Sequence, residues 1–113
     1  MDCLFCKFVS GDIAINKIYE NKDILAFKDI NPQAPIHFLI IPKVHIPTLN
    51  DIEQRDIALV GKLSLVASKL AKEYEISKNG YRTIMNCNSD AGQTVFHIHL
   101  HMMAGRRLKW PAG

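Results

Sequence analysis

The apolar positions of this chain follow two rhythms. Between residues 13 and 41 they come in short runs rich in isoleucine and aromatics: 13–20, 24–28 and 36–41. Asn21-Lys22-Asp23 breaks the first run from the second, which is a hairpin signal. Asp29-Ile-Asn-Pro32-Gln-Ala-Pro35 carries two prolines and an asparagine, so a loop is expected there. Ile36-His-Phe-Leu-Ile-Ile41 is almost wholly apolar and ends at Pro42, which predicts a central strand covered on both faces. From Asp51 to about Tyr74 the period changes. Ile57, Val60, Leu63, Ala67, Leu70 and Tyr74 recur at helical spacing with no proline between them. One long amphipathic helix is predicted, with Asn50-Asp-Ile-Glu53 as its cap and Gly61 as a close-packing point. Arg55, Lys62, Lys69 and Lys72 would form its solvated face. Lys78-Asn-Gly80 predicts a turn, residues 81–86 a strand, and Cys87 to Thr94 a loop into an antiparallel last strand. A short helix over residues 4–9, stopped by Gly11, is expected at the front.

In the last strand, His97, His99 and His101 alternate with Phe96, Ile98, Leu100 and Met102. Successive strand side chains point to opposite faces, so the three imidazoles are expected on one face. Strict alternation of three histidines has no packing rationale, and two chemistries remain. Two histidines at i and i+2 can share a zinc ion, although the outer two Cα atoms lie ~13 Å apart along a strand. Alternatively, a neutral imidazole attacks phosphorus and forms a covalent nucleotidyl intermediate. A backbone carbonyl can then hold Nδ1–H, a second histidine can donate a proton, and amides around Gly92-Gln-Thr94 with Asn86 can stabilise the transition state. His37, a polar group in an apolar strand, would join the row if its strand neighbours the last one.

Composition narrows the class. The 113 residues suit a single domain, 1–113, and 48% hydrophobic content with 22% charge is that of an ordinary folded protein. A net charge of +3 with scattered basic residues does not point to nucleic acid, and no apolar run is long enough to span a membrane. Met1 to Cys6 shows no leader pattern, and three cysteines cannot all pair within one chain. Reduced thiols in the cytoplasm are therefore expected. Cys3-Leu-Phe-Cys6 follows no strand, which favours half of a metal site over a redox pair. With His45 and one histidine of the last strand, the two thiols would complete a four-ligand set. Trp110, the single tryptophan, lies in the basic tail and is expected to dock on the protein's own body or on a second copy.

His97-Ile-His-Leu-His-Met-Met103 resembles the signature of the histidine triad (HIT) superfamily. Phe27-Lys-Asp-Ile-Asn-Pro-Gln-Ala-Pro35, His37-Phe-Leu-Ile-Ile-Pro-Lys-Val-His-Ile46, Gly80-Tyr-Arg82, Gly92-Gln-Thr-Val-Phe96 and Trp110-Pro-Ala-Gly113 are similar to its nucleotide-binding (HINT) branch. The resemblance implies an α+β fold: an antiparallel sheet of about five strands, one long helix and a short N-terminal helix, paired as a homodimer. It implies hydrolysis of purine nucleoside phosphoramidates, cleaving AMP or GMP from amines without a catalytic cofactor. Dinucleoside polyphosphate hydrolysis, or nucleotide binding with weak activity in a regulatory module, are the alternatives. His99 matches the nucleophile, His101 the phosphate-binding residue and His37 the fourth histidine. Asn86, Gly92, Gln93, Thr94 and Val95 match phosphate-contacting positions, with Thr94 where a serine hydroxyl often assists the leaving group. Asp29 matches the ribose-binding carboxylate. Leu4, Phe5, Phe8, Phe27, Lys28 and Ile30 match the purine wall, and Trp110 a tail residue that reaches a partner's site. Cys3, Cys6, His45 and His97 match a structural zinc site found in other HIT proteins.

Overall fold

A computed structural model describes residues 3–113. Five strands form one antiparallel sheet: β1 (Lys17–Glu20), β2 (Ile24–Lys28), β3 (Ile36–Pro42), β4 (Arg82–Ile84) and β5 (Leu100–Ala104). Their order is β1-β2-β3-β5-β4, which puts β3 in the middle. Helix α1 covers Leu4–Ser10 and helix α2 covers Ile57–Glu73.

The period-two alternation of the strands divides the core between the two faces of the sheet. Ile24, Ala26, Phe38, Ile40, Leu100 and Met102 point towards α2, where Leu63, Val66, Ala67 and Leu70 meet them. Leu25, Phe27, Leu39 and Ile41 point the other way and pack with Cys3 and Phe5 of the N-terminal segment. β3 is apolar except for His37 and buried from His37 to Pro42, because both faces are covered. Gly11 ends α1 in a left-handed conformation with φ 87°, where a residue with a Cβ would be strained.

Several boundaries differ from those the sequence suggests. Residues 49–56 form two 3-10 turns, and α2 begins only at Ile57. Thr48 caps the first of these turns: its hydroxyl oxygen accepts Asn50 N–H while its N–H donates to Asp51 Oδ2. Asp51 is thus the reciprocal acid of a box that starts earlier than expected. Gly61 is exposed, and a Cβ there would meet nothing within 4 Å, so it is no packing point. β1 and β4 are shorter than the runs 13–20 and 81–86.

The histidine row also differs. Only His101 lies in β5. β3 ends at Pro42, which has no N–H, and Ile98 N–H is bound instead by the Ile46 carbonyl at 2.7 Å. His97 and His99 therefore stand just ahead of the strand, docked on the loop after β3. The alternation survives this: Ile98 and Leu100 enter the α2 core, and the histidines face the α1 side.

Candidate active site

An open cavity of about 820 Å³ lies on the α1 side of the sheet. Its apolar wall includes Leu4, Phe5 and Phe8 of α1, Phe27 of β2 and Leu39 of β3. His99, His101, Thr94 and Val95 close one part of it, and Lys28, Asp29 and Ile30 another. The volume is in the range that holds a small-molecule ligand, and a few polar groups converging on an apolar wall is the usual form of such a site.

His99 is held in one tautomer. Its Nδ1–H donates to the His97 carbonyl at 2.7 Å, so Nε2 keeps its lone pair. Phe5 meets the ring edge-on at 5.0 Å between centroids and 90°. Burial lowers the pKa of His99 below the ordinary 6.5, with its bond to the His97 carbonyl opposing. The imidazole is therefore neutral at pH 7 and able to act as a nucleophile.

His101 is fixed by a chain of hydrogen bonds. Gln33 N–H donates to His37 Nδ1 at 3.0 Å, which leaves the His37 proton on Nε2. That proton faces His101 Nδ1 at 2.9 Å and Asp29 Oδ2 at 3.4 Å. Donation to His101 Nδ1 leaves the His101 proton on Nε2, as a donor. Burial, then the neighbouring His99 and His37, push the His101 pKa down to about 4. His37 is also lowered by burial, with Asp29 opposing. The expected meeting of His37 with the row thus occurs across the β3–β5 pair.

Other expected site residues lie elsewhere. Asn86, Gly92 and Gln93 do not line the cavity. Gln93 is 6% exposed, and its side chain holds the loop together: it accepts Asn88 N–H and donates to the Pro47 and Val95 carbonyls. The Gly92 and Gln93 N–H groups are also committed, to the Ser89 and Asn88 carbonyls. These two amides are not free for a phosphate, because the loop uses them for its own closure. Ile13, Ala14, Ile15 and Asn16 do line the cavity. They were merged with β1 in the sequence, and the only signal for them was their place between Gly11 and the first true strand residue. Leu39 was legible in principle, two residues from His37 on the same face of β3.

Cys3, Cys6, His45 and His97 come together beside α1. One donor atom from each lies within 4.8 Å of all the others. His97 Nε2–H donates to the Pro42 carbonyl at 2.8 Å, which turns the Nδ1 lone pair towards the thiols. Cys3 Sγ and Cys6 Sγ stand 3.4 and 3.6 Å from His97 Nδ1, and Cys6 Sγ stands 3.4 Å from His45 Nδ1. The two Nδ1 atoms are 3.2 Å apart. The edges of a tetrahedron around zinc are about 3.6 Å for sulfur to nitrogen and about 3.3 Å for nitrogen to nitrogen. The residues present fit a closed Cys₂His₂ site.

The HIT domain model matches residues 10–108. The chain belongs to the HIT family. Among HIT relatives, it is 42% identical to the purine nucleoside phosphoramidase of Escherichia coli (strain K12), over 95% of this chain and 90% of that protein. A HIT family hydrolase from Legionella pneumophila Philadelphia 1 superposes with a TM-score of 0.97 at 50% identity, covering 99% of this chain and 100% of that one. A histidine triad protein from Clostridium difficile gives 0.93 at 45% identity, over 96% and 95%. The HIT fold expected from the sequence is the fold observed.

Proposed function

We propose that this HIT protein is a purine nucleoside phosphoramidase, which releases AMP or GMP from amines through a nucleotidyl intermediate on His99. The observation that carries it is the fixed tautomer of His99, with a bare Nε2 facing a cavity that suits a nucleotide. The 42% identity to a purine nucleoside phosphoramidase supports the same substrate class.

In the first step the His99 Nε2 lone pair attacks phosphorus. A bond to Nε2 forms, the phosphorus–nitrogen bond breaks, and the amine leaves with a proton supplied through the Thr94 hydroxyl. Positive charge on the His99 ring is stabilised by the His97 carbonyl. His101 Nε2–H donates to a phosphate oxygen and offsets the charge that develops there. Water then attacks phosphorus and gives up a proton that restores the Thr94 hydroxyl, the Nε2–phosphorus bond breaks, and the nucleotide leaves with His99 regaining its lone pair. Asp29 lines the cavity with Oδ1 bound to Asn31 N–H at 2.8 Å, and its oxygens keep acceptor capacity for a ribose diol. The aromatic wall stacks on the base.

Zinc held by Cys3, Cys6, His45 and His97 supplies structure, and no step of the reaction passes through it. The donor spacing supports this assignment, and metal analysis of purified protein against a Cys3→Ser control tests it. A homodimer is part of the same proposal. Trp110 is 83% exposed in a tail that Arg82 anchors through the Leu108 and Lys109 carbonyls, leaving the ring available to a second copy. Cys3, Cys6 and Cys87 form no disulfide, which supports a cytoplasmic location.

The decisive variant is His99→Ala. It should lose turnover of an adenylyl-amine by on the order of 10⁴-fold or more while still binding AMP. Turnover near that of the wild type would remove His99 as nucleophile.

A further inference from the structure

Helix α1 carries two sets of residues with different tasks. Cys3 caps it and Cys6 lies one turn later, and Cys3 Sγ accepts Cys6 N–H at 3.3 Å. Between them, Phe5 reaches the cavity and is 4% exposed. Its ring meets His99 at 5.0 Å, His97 at 5.9 Å and Phe27 at 5.4 Å. Phe8 adds an edge-on contact with Phe27 at 5.2 Å. One side of the cavity wall and the two thiols thus sit on one seven-residue helix and its N-cap.

Such a helix does not hold itself in water, where about 12–15 residues are needed. Its position rests on Phe5 and on whatever fixes the two thiols. His97 links the same two places by a second route. Its Nδ1 faces the thiols, and its carbonyl holds His99 Nδ1–H.

We propose that metal binding at Cys3, Cys6, His45 and His97 and nucleotide binding in the cavity are coupled, with α1 and Phe5 as the coupling element. The coupling rests on the nucleotide-binding function proposed above and extends it. A bound metal pins α1, and the pinned helix presents a formed aromatic wall. A nucleotide stacked on that wall holds α1 in turn and makes the metal harder to remove. Binding linkage requires the two effects to be equal. Phe5 is on this account a positioning residue for the wall and for the His99 ring.

The test uses zinc-loaded protein and AMP. Zinc affinity is measured by competition with a chromophoric chelator, with and without saturating AMP, and with AMP also present in the blank. Zinc should bind about tenfold tighter with AMP. AMP should bind weaker by the same factor to stripped protein and recover when zinc is restored. A Phe5→Leu variant should bind AMP more weakly, and the remaining binding should lose most of its dependence on zinc. Release of zinc from the loaded, folded protein into excess chelator is also timed, so that unfolding of a stripped sample does not decide the result. AMP should slow that release, because affinity differences at one site fall mostly in the dissociation rate. Equal zinc affinity and equal release rates with and without AMP would overturn the coupling while leaving the nucleotide site in place. Failure of the zinc-loaded protein to bind AMP at all would instead overturn the nucleotide function and the coupling with it.

Discussion

On the α2 face of the sheet, Ile24, Ile40, Met102, Leu63 and Leu70 are fully buried and apolar. On the α1 face the same strands present Leu25, Phe27, Leu39 and Ile41, and beside them His37 and His101. The first face is sealed by a 17-residue helix, the second by a seven-residue helix that leaves a cavity. Strand alternation produced both faces from one set of strands. The sealed face can supply stability because it holds nothing but packing. The open face can hold four histidines and a ligand because its neighbour carries that stability. Each buried imidazole there is matched to a carbonyl, an amide N–H or another imidazole.

The contrast breaks if a change on the sealed face alters catalysis. Leu70→Ala should cost about 2–5 kcal/mol of stability and leave kcat unchanged while the protein is folded. Denaturant unfolding and single-temperature kinetics, compared side by side, check both halves. A large fall in kcat would show that α2 helps to shape the site.

The open face should reveal itself through pH. The folded pKa of His101 is about 4 against an ordinary 6.5, so between those values the unfolded chain takes up a proton that the folded one refuses. The stability contribution is complete above about pH 6.5 and is lost as pH falls towards 4, by at most about 3 kcal/mol. His37 and His99 shift in the same direction. Unfolding midpoints measured from pH 7 to 4.5 should fall steeply for the wild type and less for His101→Gln. Parallel slopes would mean that this imidazole does not stay neutral in the folded protein over that range.

Thr48 belongs to neither face and serves as a control. Thr48→Ala should cost about 1 kcal/mol through the lost cap, with no effect on turnover. A change in turnover would extend the functional region to the loop before α2.

The sequence carried the two faces well. Short apolar runs located β2 and β3, with 36–41 read as central because it is almost wholly apolar, and helical spacing located α2 from Leu63 to Leu70. What it hid were places where the backbone uses its own groups. Nothing local says that Ile98 N–H binds the Ile46 carbonyl, so the histidine row read as one unbroken strand. Gln93 matches a phosphate-contacting position by resemblance, whereas three hydrogen bonds of its side chain make it the staple of its loop. Asn50-Asp-Ile-Glu53 has the residue types of a helix cap, but Thr48 caps a 3-10 turn there, and α2 follows Asp56 with no side-chain cap bond. The proposed metal ligands had the residue types of a zinc site in the sequence, but their convergence came from two long-range contacts, Cys3 to His97 and Cys6 to His45.

The open face exists, on this account, to present His99 Nε2 to phosphorus. Intact-protein mass spectrometry tests that most directly, on protein mixed with an adenylyl-amine and quenched under conditions that preserve phosphohistidine. The wild type should gain the mass of one nucleotidyl group, mapped by fragmentation to His99, and His99→Ala should gain none. An adduct on His97 or His101, or turnover by the wild type with no adduct at any time point, would contradict it.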